Sequence, residues 1–176
     1  MRFVDLLRAA VVLSAGAATT LAVITIAAAT TRADDRLVAF CAGWWVLAAA
    51  IGGFVGRQAQ VNQPISRLLA DAKPATTLPE HRPGAVLVNR LWPLLLGTLV
   101  AGAIAFLVPQ VAGIATGFAV IWALAWRRQD AAVLGVEERD GVSFYVERTS
   151  PVRPMSLLRT PGLRREVPSL NGAERS

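Results

Sequence analysis

Long uncharged stretches alternate with short charged ones along this chain. Residues 91–126 hold no Asp, Glu, Lys, Arg or His, and Pro109-Gln110 interrupts them near the middle. One unbroken helix of that length, rising about 1.5 Å per residue, would far overshoot a hydrocarbon core of roughly 30 Å. Proline lacks an N–H and clashes with the preceding turn. The stretch therefore divides into two spans, about 91–108 and 111–126, bounded by Arg90 and by Arg127-Arg128. Two further uncharged runs, 9–30 and 37–56, lie between Arg8 and Arg32 and between Arg36 and Arg57.

The pattern predicts an all-α integral membrane protein with four transmembrane helices in two hairpins. The transmembrane domain would cover 1–128, with a cytoplasmic loop at 57–90. A cleavable signal peptide is the competing reading of the first run. Its apolar centre is usually only about 7–15 residues long, shorter than this run, so an uncleaved span is the better fit.

In the 57–90 loop, Pro64 can open a helix in which Ile65, Leu68, Leu69 and Ala72 recur at helical spacing. Such a segment either rests on the membrane surface or packs against the bundle. Pro74, Pro79 and Pro83 make the rest irregular. The single histidine, His81, sits among Pro, Glu and Arg with no Cys or second His at metal-ligand spacing, and reads as a solvated loop residue.

Beyond Arg128 the pattern changes. Asp140-Gly141 between β-prone segments predicts a small cytoplasmic β-hairpin over 129–148. A three-residue loop, Arg139-Asp140-Gly141, would pair Val136 with Phe144 and Leu134 with Val146, and would place Gly141 where a left-handed backbone is needed. An isolated hairpin is marginal in water, so Val136, Phe144 and Val146 are candidate docking residues. Residues 149–176, with Pro151, Pro154, Pro161 and Pro168 among scattered arginines, predict a flexible basic tail.

Charge distribution sets the orientation. Of the 18 basic residues, seventeen are Arg, and only Arg32 and Arg36 fall on the side opposite the termini. The positive-inside rule then places both termini in the cytoplasm of a multi-pass protein in the cell membrane. The net charge of +6 is not arranged with aromatics as a nucleic-acid platform. Arg57, Arg90, Arg127 and Arg128 instead flank the spans, where anionic lipid headgroups lie. Abundant Arg and Ala point to a GC-rich bacterial source. The lone Cys41 rules out an intramolecular disulfide.

Small residues recur four apart at Ala48, Gly52 and Gly56, and again at Gly113 and Gly117. Such stripes let helix backbones approach closely in lipid, either between two copies or inside one bundle. The predicted spans carry no Asp, Glu, His, Lys or Arg, the groups that proton- or ion-coupled transport places at membrane depth. No phosphate-binding loop, nucleophile elbow or paired-carboxylate setting occurs, and no cofactor or metal site is predicted. The reading is a non-enzymatic accessory or interaction protein that meets another membrane protein, or itself, at the inner leaflet. An oligomeric small-solute channel or transporter subunit is the alternative.

Overall fold

The computed structural model describes residues 1–57, 60–75, 83–147 and 155–161. The chain is mostly helical: α1 (Phe3–Thr31), α2 (Asp35–Val55), α3 (Gln63–Ala70), β1 (Lys73–Pro74), α4 (Pro83–Ile104), α5 (Pro109–Trp126), α6 (Gln129–Asp140), β2 (Val142–Val146) and β3 (Leu157–Pro161). Among the described residues, four helical stretches are long and apolar enough to cross a membrane: Phe3–Thr31, Asp35–Val55, Gly84–Ile104 and Pro109–Asp140. Their outward faces are apolar too, with Phe54 73% and Leu99 70% exposed. So much exposed apolar surface is compatible with a membrane protein.

Sequence neighbours are not the main packing partners. α5 lies against both α1 and α2, while α1 and α2 touch each other little and α4 rests lightly on α1 and α5. Small side chains explain the central place of α5. Ala112, Gly113, Thr116, Gly117 and Ala119 are all buried, so its backbone can come close to two neighbours at once.

The interruption near Pro109 differs from the predicted one. α4 already ends at Ile104, and Pro109 opens α5 at its first position instead of closing α4. That position leaves its N–H without an intrahelical partner in any case, so proline costs nothing there. Across the same end, Arg32 donates to the Phe106 carbonyl (2.9 Å), tying the α1–α2 turn to the α4–α5 turn. Asp34 caps α2 by accepting from the Leu37 N–H, and Ala33 takes φ +49° in the turn before it.

At the opposite end the chain builds a cap. Its core joins Phe3, Val4, Leu6 and Leu7 of α1 to Ile65, Val86, Val133, Phe144, Val146 and Leu157. α1 has 29 residues, about 44 Å at 1.5 Å per residue, and its first turns supply the centre of the cap. Residues 1–8 are thus structural, beyond the flanking role their sequence predicts. α3 lies over this core with Ile65 1% exposed, so its apolar face packs on the protein.

The hairpin predicted over 129–148 is not formed. Residues 129–140 are helical, and β2 pairs antiparallel with β3, Phe144 opposite Arg159, in a sheet of order β1-β3-β2. Ala131, Ala132, Leu134, Glu137 and Arg139 are good helix formers, and Gly141 (φ +63°) ends the helix as its left-handed cap. The Asp-Gly signal marked a real left-handed position but the wrong kind of turn. β3 also orders part of the segment read as a flexible tail. His81 and tail residues 149–154 and 162–176 lie outside the described residues. On the free side of β2, the Val146 N–H donates to the Met1 carbonyl (3.1 Å) and Arg2 bridges to Tyr145.

Candidate functional site

α6 is the element on which the cap turns. Gln129, Val133 and Glu137 recur four apart, fall on one helical face, and are all buried. Glu137 is 5% exposed. Its Oε2 accepts from the Arg2 guanidinium at 2.6 Å, and its Oε1 accepts from the Phe144 N–H at 2.8 Å. One carboxylate thus joins the start of α1, α6 and β2. Charge-assisted bonds of this kind are the strong ones, and their removal would leave the buried Phe144 N–H without an acceptor.

Gln129 makes the second tie. Its side chain accepts from the Asn62 N–H (3.0 Å) and donates to the Gln60 carbonyl (3.4 Å), fixing the approach to α3. A third, Arg8 to Asp130 at 2.9 Å, is more exposed and correspondingly weaker. At the far end of α6, Arg139 donates to Asp140 at 2.8 Å. That hydrogen bond holds the Asp140 carboxyl below the usual carboxylate range.

Beneath the cap is a cleft of about 440 Å³. Leu6, Leu7 and Ser14 of α1 and Ile65 and Leu68 of α3 are among the residues that line it. Leu91, Pro93 and Leu94 of α4 and Trp122 and Trp126 of α5 line it as well. The two indoles stack at 5.4 Å between centroids. Among the described residues, Arg90 supplies the one charged side chain in the lining and Ser14 the one hydroxyl. The volume falls within the usual range of small-molecule sites, roughly 300–1,000 Å³.

The glycine stripes face inward. A Cβ on Gly52 would lie 2.9 Å from the Leu124 Cβ, and one on Gly56 would run into the Leu124 carbonyl. A Cβ on Gly113 would meet the Cys41 Sγ, and one on Gly117 the Trp44 indole. All four glycines therefore sit where helices of one chain meet. Trp44 and Trp45, near the middle of α2, donate their indole N–H groups to the Ile114 and Gly113 carbonyls at 3.1 and 2.8 Å.

The candidate docking residues are placed differently from the expectation. Phe144 (3% exposed) and Val146 (0%) are in the cap's own core, and Val136 is half-buried on α6. An intact cap does not offer Phe144 or Val146 to a partner. The exposed positions of α6 are Ala131, Gly135, Glu138, Arg139 and Asp140. Arg57, Arg127 and Arg128 are exposed where α2 and α5 end, and Arg128 reaches the Arg57 carbonyl at 3.4 Å. Arg90 is half-buried at the cleft.

Sequence reasoning missed Gln129, Asp130 and Glu137. The four-residue spacing of 129, 133 and 137 was readable, but two of the three buried positions are polar, so no apolar stripe marked the helix. Among the described residues, no three His, Cys, Asp or Glu side chains come together. No family model, curated protein or solved structure matches the chain.

Proposed function

We propose that the protein is a non-enzymatic accessory protein of a bacterial inner membrane. Its four spans would hold a folded cap at the cytoplasmic face, where the cap meets another membrane protein. The observation that carries this reading is the Glu137 junction. By tying α1 to α6 and β2, it makes cap and spans one body, suited to presenting a fixed surface at the inner leaflet. The basic residues gathered at the cap end support a cytoplasmic placement by the positive-inside rule. The cap core also uses Phe3 and Val4, which favours a first span that is retained.

The channel or transporter reading gains less support. Thr25 and Thr116, buried in the bundle, donate to the Leu21 and Ala112 carbonyls of their own helices at 2.8 Å. Thr19, Thr20 and Thr98 likewise bond four residues back. These hydroxyls are occupied and line no polar path among the described residues.

The test is crosslinking in native membranes followed by purification in mild detergent and mass spectrometry. The full-length chain is compared with an Arg2→Ala/Glu137→Ala variant that weakens the junction between cap and spans. The proposal predicts a stoichiometric membrane-protein partner that is lost with the variant while the variant stays in the membrane fraction. A self-contained oligomer, unchanged in the variant and free of partners, would contradict it.

A further inference from the structure

We propose that the α4–α5 turn is a lipid-binding tip: it stops at the acyl-chain boundary of the leaflet opposite the cap, with Phe106 and Leu107 inserted among lipid chains. The proposal rests on the membrane placement of the four spans and goes beyond the accessory role.

The two turns at this end are chemically unlike. The α1–α2 turn reads Arg32-Ala-Asp-Asp-Arg36, whereas residues 104–109, Ile-Ala-Phe-Leu-Val-Pro, hold no polar side chain. Phe106 and Leu107 are each 80% exposed, more than any other large apolar side chain among the described residues. Exposed Ile104, Val108 and Ile114 continue that apolar surface onto α4 and α5. Acyl chains cover such a surface at no cost in ordered water.

The turns also stand at different depths. A Cβ on Gly113 of α5 would touch the Cys41 Sγ of α2 and lie 3.3 Å from the Thr25 Cγ2 of α1, so these three positions share one level. From there α1 runs seven residues to its cap at Arg32, and α2 runs seven back to its cap at Asp34. Each distance is about 10 Å at 1.5 Å per residue. α5 runs back only four residues to its start at Pro109, about 6 Å. The start of α5 therefore lies about 4 Å deeper than the α1–α2 turn, much of a headgroup layer of roughly 5–7 Å.

The backbone of the tip is provided for without water. The N–H groups of Ala105, Phe106, Leu107 and Val108 all donate to carbonyls within residues 101–104, and Pro109 has none to place. The Phe106 carbonyl accepts from the Arg32 guanidinium at 2.9 Å. Lipid demands that backbone groups find their partners inside the protein. A long arginine stem can lie along apolar surface while its charge stays near the headgroups. Arg32 reaches down from the higher turn and takes the place of water at that carbonyl.

The test is site-directed spin labelling of the full-length chain in vesicles of phosphatidylethanolamine and phosphatidylglycerol. In a Cys41→Ala background, single labels enter through Leu107→Cys, Asp35→Cys and Leu99→Cys, all exposed positions. Oxygen concentrates among acyl chains and a nickel chelate stays in water, so collisions with each report a label's surroundings. The label at 107 should meet oxygen and not nickel, as at 99, while the label at 35 shows the reverse. Arg32→Ala should shift the 107 label toward the values at 35, and Arg32→Lys, which keeps a donor, should shift it less.

Nickel access at 107 equal to that at 35, with 99 still in lipid, would overturn the placement of the tip alone. Nickel access at 99 would refute the membrane spans themselves. Few collisions with either reagent at 107 would make a second copy of the chain its cover in place of lipid. An unchanged 107 label in Arg32→Ala, with circular dichroism unaltered, would overturn the role given to Arg32.

Discussion

Substituting alanine at successive glycines of α2 tests the helix packing directly, because neighbouring positions should respond with opposite sign. A Cβ on Gly52 would stand 2.9 Å from the Leu124 Cβ and 3.0 Å from the Ile121 Cα. Optimal carbon contacts lie at about 3.5–4.0 Å, so α2 and α5 would have to part by roughly 0.5–1 Å. Overpacking of this kind costs about 1–3 kcal/mol. Alanine in a helix interior returns about 0.5–1 kcal/mol relative to glycine. The net loss for Gly52→Ala is then about 0–2.5 kcal/mol, a fall in Tm of up to roughly 10 °C for a chain of this size.

Gly56→Ala should be worse than Gly52→Ala, because the obstruction is the backbone carbonyl of Leu124, which cannot turn aside. A Cβ on Gly53, between them, would meet nothing within 4 Å, so Gly53→Ala should raise Tm by about 1–4 °C from helix propensity alone. Gly113→Ala supplies an internal check. Its obstruction is the Cys41 Sγ, so adding Cys41→Ala should restore part of the loss, with a coupling of about 0.5–3 kcal/mol. The assay is thermal unfolding in mild detergent followed by circular dichroism. Equal effects at Gly52 and Gly53, or the largest loss at Gly53, would refute the α2–α5 packing and point to an interface between copies.

Other consequences concern the cap. Glu137→Ala should leave the buried Phe144 N–H without its acceptor and destabilise the cap by about 1–3 kcal/mol. Glu137→Gln keeps an acceptor and should cost less; hydrogen exchange at the Phe144 amide reports both. Leu157, 1% exposed, should lose about 2–5 kcal/mol on Leu157→Ala, and limited proteolysis should then cut the chain near β3 faster. Arg139→Ala should raise the Asp140 titration toward the ordinary carboxylate range, read by carbon-detected NMR. Because the Asp140 carboxyl is held low in the fold, its small contribution is present at neutral pH and is lost as pH falls through the folded value.

The four long apolar helices were legible because runs of about 20 residues without charge, bounded by arginine, stand out in the sequence. The loop helix at 63–70 was legible from the spacing of Ile65, Leu68 and Leu69. What one-dimensional pattern could not convey was the order of packing. Which helix becomes central depends on where small residues align in space, and the run of buried small residues on α5 decides that. The cap was the larger omission. Its core draws on residues 3, 4, 6, 7, 65, 86, 133, 142, 144, 146 and 157, so no local window contains it. α6 was misread because burial of Gln129 and Glu137 replaces its apolar stripe with hydrogen bonds. Phe144 and Val146 were correctly seen as needing cover, and their cover is the same chain's α1, α3 and β3.

The most direct test of the central claim is site-specific photocrosslinking in native membranes. One probe replaces Glu138 on the exposed side of α6, and another replaces Leu99, 70% exposed in the C-terminal half of α4. The accessory reading predicts a discrete protein adduct from position 138 and lipid adducts alone from position 99. Discrete protein adducts from position 99 with none from position 138 would contradict it and assign the assembly to the spans.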